Sequence, residues 1–487
     1  MASQITNDEQ NTGLPLSRKL GLVAGPLLLL MTVLLPAPWG MTDAAWSALG
    51  LMLMMAAWWS TEAIPIPATS LLPIVLIPAL GLGSVASATG PYANPIIFLF
   101  LGGFTLGLAM QRWNLHRRVA LLTLLMVGAS PRRQVAGFML ATAFLSMWVS
   151  NTATAIMMLP IGLSVISMVR SDNEEEVKRF GTALLLAIAY AASVGGIATL
   201  IGTPPNALLA AYLSENQGMD VGFAQWMLIG VPVAVVMLVL VWWWLTRRTF
   251  NLTGHDNSEQ LLQDELKELG AMTSAETRVA LVFAVTALAW ILQPLVSDSL
   301  IPWLGDTVIA ILAALALFLV PAANSSGDRL MDWESARDMP WGVLLLFGGG
   351  LAMAGVISSS GLATFIAESM SVLDAVPLIL MIALVVTVII FLTEVTSNTA
   401  TAAAFLPLLG ALAVSQGASA ALLAVPAAIA ASCAFMMPVA TPPNAIVFGS
   451  GKVKIGAMIR AGFVLNLVGI VVVTLFSYLL LGLVFGV

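Results

Sequence analysis

Ser150-Asn151-Thr152-Ala153-Thr154 returns as Ser397-Asn398-Thr399-Ala400-Thr401, and Thr203-Pro204-Pro205-Asn206-Ala207 returns as Thr441-Pro442-Pro443-Asn444-Ala445. Each SNTAT string leads into an apolar stretch holding one proline, Pro160 in the first copy and Pro407 in the second. Upstream, Leu101-Gly102-Gly103 matches Phe347-Gly348-Gly349. Taken singly, the serine, threonine and asparagine side chains would read as hydrogen-bonding glue between helices, and the proline pair as a kink. Two identical strings in the same order and the same surroundings read as an internal repeat. Its order is a glycine-rich span, a hairpin carrying SNTAT, then a span broken at TPPN.

The rest of the chain says what medium that repeat sits in. Of 487 residues, 59% are hydrophobic and 9% charged, with a mean hydropathy of +0.98. A soluble domain carries about 25% charged residues, so a chain this apolar could not cover a globule with polar surface and must be solvated by lipid. Apolar runs of spanning length lie near 20–36, 44–61, 66–83, 94–111, 181–213, 225–246, 278–296, 302–320, 340–358, 419–449 and 456–486. Two further runs, 134–168 and 376–412, exceed one span and have the SNTAT cluster at their middle. Each reads as a re-entrant hairpin that turns on polar residues at mid-depth. The expected fold is therefore an all-α polytopic membrane protein of about eleven transmembrane helices and two hairpins. Residues 1–43 form a tail and first helix, 44–248 and 278–487 the two repeats, and 249–277 a linker. Leu262, Leu266 and Leu269 give that linker helical spacing. With five full spans in each unit, the second copy is expected upside down relative to the first. Such repeats place a site near the midplane, where broken helices meet.

Charge tests the map independently, because cytoplasmic loops are enriched in Lys and Arg. With the N-terminus inside and each hairpin returning to its own side, all 19 Lys and Arg fall on one face. They run from Arg18 and Lys19 through Arg112, Arg132, Lys178, Arg247, Lys267 and Arg329 to Lys454 and Arg460. The opposite loops, around Asp43, Glu215, Asp220, Asp298, Glu368 and Asp374, carry none. The sorting fails if either hairpin is a full span. The expected location is the cell (inner or plasma) membrane, with a cytoplasmic N-terminus, a retained first span and an extracytoplasmic C-terminus. Trp242, Trp243 and Trp244 beside Arg247 read as an interfacial belt, and the sequons at Asn251 and Asn324 as unmodified.

The motifs also have a chemistry. Prolines in a span free backbone groups, which survive in hydrocarbon only where they line a cavity. Half-helix N-termini offer a positive dipole end to an anion. Freed carbonyls, hydroxyls and asparagine amide oxygens suit a hard cation. Neither motif holds Lys, Arg or His, so a bound anion would be balanced by dipoles and co-bound cations, and its binding would depend on the cation. Two acids lie in or beside spans, Glu62 and Glu394, and each is open to a functional or a structural reading.

The paired SNT and TPPN motifs, with Trp58-Trp59-Ser60-Thr61-Glu62-Ala63-Ile64-Pro65, resemble the divalent anion–sodium symporters over nearly the whole chain. The resemblance implies a homodimer in which a mobile transport domain moves elevator-fashion against a scaffold. It implies that Asn151, Thr152, Asn398 and Thr399 hold the carboxylates of a small dicarboxylate, closed by Thr203, Pro204, Thr441 and Pro442. It also implies one sodium site at Ser146, Ser150, Asn151 and the Gly202 carbonyl, and another at Thr393, Thr396, Asn398 and the Ala440 carbonyl. At Thr396 the backbone carbonyl is the implied ligand. Sodium is the implied coupling ion, with no other cofactor. Lipid is the surrounding partner and nucleic acid is not expected.

Other readings remain to be weighed. An intramembrane hydrolase using Ser150 or Ser397 needs a nearby base, and the only histidines, His116 and His255, lie in polar stretches far from the motifs. An ATP-driven pump needs a phosphate loop, but Gly451-Lys452 is followed by Val453 and lacks the earlier glycine. Within transporters, proton coupling through Glu394 or Glu62, anion exchange, and sulfate or citrate as substrate stay open.

Overall fold

A computed structural model describes residues 15–128, 130–171, 173–248, 250, 252, 255–297, 301–323, 327–369 and 376–486. The sequons at Asn251 and Asn324, and the acids Asp298 and Asp374, lie outside the described residues. The described residues form helices throughout, with one isolated bridge, between Pro321 and Arg329, and no strand. This follows from the medium: a lipid-solvated backbone must satisfy its own N–H and C=O groups, and the helix does so within one segment.

Among the described residues, nine helices are long and apolar enough to span a membrane, including Leu16–Leu34, Phe223–Thr246, Trp341–Ser359 and Ile455–Phe485. Two of the nine, Asn151–Met168 and Asn398–Ser415, are arms of the expected hairpins, so this number and the expected eleven full spans count different things, and several apolar runs are not single rods. Run 181–213 resolves into helices Glu174–Ile197 and Pro204–Gln217, and run 419–449 into Ala421–Ala431 and Pro442–Gly449, each pair separated by irregular backbone just before the proline pair. Run 66–83 divides into Ile66–Thr69 and Leu72–Ala79. Proline stands first or second in each later piece because the missing N–H is unbonded in a first helical turn anyway. The two long runs break at the SNTAT strings as read: Pro131–Ser146 then Asn151–Met168, and Leu378–Thr393 then Asn398–Ser415.

One helix escaped the hydropathy reading. Leu115–Val127 begins with His116, Arg117 and Arg118, which placed it in a basic loop. Arg118 is nevertheless buried, and its guanidinium grips Glu276 (2.9 and 3.2 Å) and the Gly270 carbonyl (3.1 Å). Arg117 pairs with Glu265 of the linker helix His255–Glu268. Gln134 at the start of the first hairpin meets Ser258 of the same linker helix, which also packs on the hairpin's second helix. One linker helix therefore touches both arms of that hairpin. Arg112 adds bonds to Asp332 and Ser335, so the basic loops meet one another. At the other end Asn94 binds Glu215 (2.8 Å) and the Phe223 N–H binds Asp306.

The glycine-rich spans explain themselves by contact. A Cβ on Gly102 would lie 2.5 Å from the Ala310 carbonyl oxygen, and one on Gly349 would lie 2.3 Å from that of Ser70. In both copies the glycines let another backbone come close. The Trp242–Trp244 belt is matched by stacked cations, with Arg247 3.6 Å over Trp244 and Arg132 5.6 Å over Trp242.

Candidate functional site

Both broken regions open on a single cavity of about 900 Å³. Its wall includes Ser150, Asn151, Thr152, Gly202, Thr203 and Pro204 from the first copy, and Thr396, Asn398, Thr399, Ala440, Thr441 and Pro442 from the second. All eight residues expected at the substrate therefore share one surface. Four helices begin there, at Asn151, Pro204, Asn398 and Pro442. A helix start carries about half a positive charge, so four of them direct a positive field at one cavity. The two proline-led helices supply field rather than donors, since their first two residues lack N–H. Direct backbone donation falls to the SNT helices.

Ser146 and Thr393, both expected at sodium, do not reach the wall. Each is fully buried one layer behind it and fixes its asparagine: Ser146 Oγ meets Asn151 Oδ1, and Thr393 Oγ1 donates to Asn398 Oδ1 at 2.7 Å. Each hydroxyl also reaches a carbonyl of the next helix, Ala192 at 2.7 Å and Ala431 at 3.0 Å. In the first tip the same amide atom of Asn151 lies 3.1 Å from the Ala192 carbonyl and 3.3 Å from that of Gly202. An oxygen facing three oxygens is satisfied in one of two ways: the NH2 group turns in, or a cation sits among them. Three of the four expected first-site ligands are in that cluster; Ser150 instead caps its helix, accepting from the Ala153 N–H at 3.3 Å. The first cluster is also tight. A Cβ on Gly196 would lie 2.9 Å from Asn151 Oδ1 and 3.0 Å from the Gly202 oxygen. In the second tip the Thr396 hydroxyl is spent internally, on the Leu392 carbonyl (2.9 Å) and the Thr401 hydroxyl (2.6 Å).

Two residues quoted in the motif but not assigned to the site turn out to hold the breaks open. Asn206 Nδ2 donates to the carbonyls of Gly196, Ile197 and Thr199 at 3.1, 3.4 and 2.8 Å. Asn444 Nδ2 does likewise for Ala434 and Met437 at 3.2 and 3.1 Å. Both are fully buried. The signal was present in the strings, since an asparagine just after a helix-breaking pair is placed to serve the carbonyls the break releases.

The cavity's far wall comes from elsewhere: Arg18 at the start of the first helix, Trp59, Glu62, Ile66, Phe104 and Val343. Arg18 is the one Lys, Arg or His in that lining, and it is paired with Glu62 at 3.2 Å, both partly exposed. Glu62 closes its helix in the left-handed region at φ 47°, uncommon for a residue that is not glycine. Glu394 is not at the wall; it is buried and bonded to three backbone N–H groups and Asn466. His116 lies at the Met110 carbonyl, 3.0 Å away, and serves neither serine.

The family of the sodium:sulfate symporter transmembrane region matches residues 17–485. A sodium-dependent dicarboxylate transporter of Staphylococcus saprophyticus is 44% identical over 99% of this chain and 95% of its own length. The protein of that name from Staphylococcus aureus strain USA300 is also 44% identical, over 96% of this chain and 92% of its own. Among solved structures, the YdaH transporter of Alcanivorax borkumensis superimposes with a TM-score of 0.60 at 16% identity, covering 96% of this chain and 99% of that one. MtrF of Neisseria gonorrhoeae, described with a class of antimetabolite efflux pumps, gives 0.58 at 13% identity over 96% of each. The last two show likeness of fold alone.

Proposed function

The chain belongs to the sodium:sulfate symporter family, and on that premise we propose that it is a sodium-coupled symporter of C4-dicarboxylates such as succinate, malate and fumarate. The observation that carries this reading is the convergence of four helix starts and two oxygen-lined tips on one cavity. Anion and cation sites share residues: Asn151 and Asn398 each face the cavity and each touch a buried hydroxyl behind it. A sodium ion held by Ser146, Asn151 and the Gly202 carbonyl orients the amide that meets the substrate, and a second ion does the same at Thr393, Asn398 and the Ala440 carbonyl. The dicarboxylate then rests on Asn151, Thr152, Asn398 and Thr399, with Thr203-Pro204 and Thr441-Pro442 closing the ends. Each positive charge in excess of the substrate's is driven inward by about 2.3 kcal/mol per 100 mV.

Helices Pro131–Ser146 through Phe223–Thr246 pack with Leu378–Thr393 through Ile455–Phe485, and the cavity lies between this group and the helices bearing Arg18, Glu62, Phe104 and Val343. That division supports an elevator: the first group, with both tips, moves as a transport domain against the second as scaffold. The two copies are then inverted repeats. Arg18, on the basic face, is part of the cavity wall, which supports an inward-facing state with the N-terminus in the cytoplasm and the C-terminus outside. A homodimer joined through scaffolds completes the reading.

The test is uptake of radiolabelled succinate into liposomes holding the purified protein. Uptake with sodium outside and none with potassium supports symport. Uptake that needs only preloaded dicarboxylate, whatever the cation, would show an exchanger and remove both sodium sites.

A further inference from the structure

The two SNT strings are identical, but the residues three positions before their serines are not: Met147 in the first tip and Glu394 in the second. Glu394 is 3% exposed. No ion pair among the described residues involves it. Its Oε1 accepts the N–H groups of Phe435 (2.7 Å) and Met436 (2.9 Å) and the Asn466 amide (2.7 Å), and its Oε2 accepts the Met437 N–H (2.9 Å). Four donors and no acceptor meet the two oxygens, the complement of a carboxylate. Burying an acid away from any Lys or Arg is costly unless the cage does something.

What the cage does follows from peptide geometry. In a trans peptide the N–H and C=O point opposite ways. The peptide whose N–H (Phe435) faces Glu394 has its carbonyl (Ala434) on Asn444 Nδ2. Glu394 and Asn444 thus clamp one peptide from two sides. Met437, held by Glu394 through its N–H, presents its carbonyl to Asn444 and to the Ala440 N–H at 3.2 Å. The chain from Phe435 to Ala440 is oriented from Glu394 outward. In the first tip the matching positions are tied without charge, the Thr199 hydroxyl donating to the Met147 carbonyl.

We propose that Glu394 is the positioning residue of the second cation site: through the Phe435–Met437 peptides it aims the Ala440 carbonyl, and its negative charge beside Thr393 makes that site the stronger of the two. This rests on the sodium reading above. The experiment compares wild type with Glu394→Gln, reading sodium-dependent thermal stabilisation of purified, substrate-free protein and the half-saturating sodium concentration for succinate uptake. The expected result is a sodium requirement raised about tenfold, with the succinate KM at saturating sodium within about threefold. Glu394→Asp, which keeps the charge, restores part of the loss. Sodium responses equal to wild type in Glu394→Gln would overturn the proposal, as would a variant whose succinate KM rises in step with its sodium requirement. If Glu394→Gln does not fold, Asn466→Ala decides: removing one of four donors should raise the sodium requirement a few fold, and no change would overturn it. A wild type that shows no sodium stabilisation at all would instead remove the symport reading beneath.

Discussion

The first and second tips carry the same Ser-Asn-Thr residues at the wall and differ in what stands behind them. Both use a buried hydroxyl, Ser146 or Thr393, to set an asparagine, and both use a second asparagine, Asn206 or Asn444, to gather loose carbonyls. Behind the wall the first tip is close-packed and uncharged, with glycine at 196. The second has alanine at 434 and the carboxylate of Glu394. The difference teaches where duplication holds. Groups that touch the transported ions must match if one substrate with two like ends is to be gripped from both sides. Groups that merely hold the backbone can be any set that satisfies it.

That comparison can be broken most severely at the asparagines. Asn151→Ala and Asn398→Ala should each reduce succinate uptake at least about a hundredfold, the loss expected when polar groups in a water-poor site are left unpaired. Uptake rates of the two variants in liposomes check this, and a tip that tolerates the change is not a substrate ligand. The glycines offer a sharper contrast. Gly196→Ala puts a methyl 2.9 Å from Asn151 Oδ1 and should cut uptake about tenfold or more. The reciprocal Ala434→Gly leaves the second tip's polar groups in place and should stay within about threefold. Equal losses would mean the two backings are the same after all.

A smaller effect is expected on stability. Asn206→Leu leaves the Gly196 carbonyl without its donor and Asn444→Leu that of Ala434, whereas the Ile197, Thr199 and Met437 carbonyls keep Trp226 Nε1 and the Gly202 and Ala440 N–H groups. At about 1–3 kcal/mol for each polar group left buried and unsatisfied, both should lower the melting temperature in detergent, and by similar amounts. The smallest change belongs to the mouth of the cavity. The Arg18–Glu62 pair is partly exposed, so Arg18→Ala should cost about 0–1 kcal/mol of stability. Its measurable trace is a salt-dependent rise in the dicarboxylate concentration needed from the basic side.

Much of the fold was legible because lipid imposes simple rules. Apolar length located most of the long helices, and the excess length of runs 134–168 and 376–412, with SNTAT at the middle, located the breaks in them. The helix Leu115–Val127 was missed for the same reason: three polar residues in its first turn hid it, and Arg118 is buried only because Glu276 and the Gly270 carbonyl meet it. Of the site, the wall residues were legible as a duplicated string, while Ser146 and Thr393 sit behind the wall. Glu62 and Glu394 looked alike in sequence, each an acid beside a span. One is exposed against Arg18 at the cavity mouth, and the other is sealed in a cage of backbone donors.

Sequence alone determined that this chain lives in a membrane, that it repeats itself, and that its polar residues sit where helices break. Those facts depend on composition and on local backbone chemistry, which act over a few residues. Only the tertiary structure decided that both breaks face one cavity, that Arg18 and Phe104 form its far wall, and that Glu394 reaches Phe435, Met436, Met437 and Asn466. Those contacts join residues far apart in the chain, and no local preference encodes them. They follow from how helices close against one another so that each freed backbone group finds a partner.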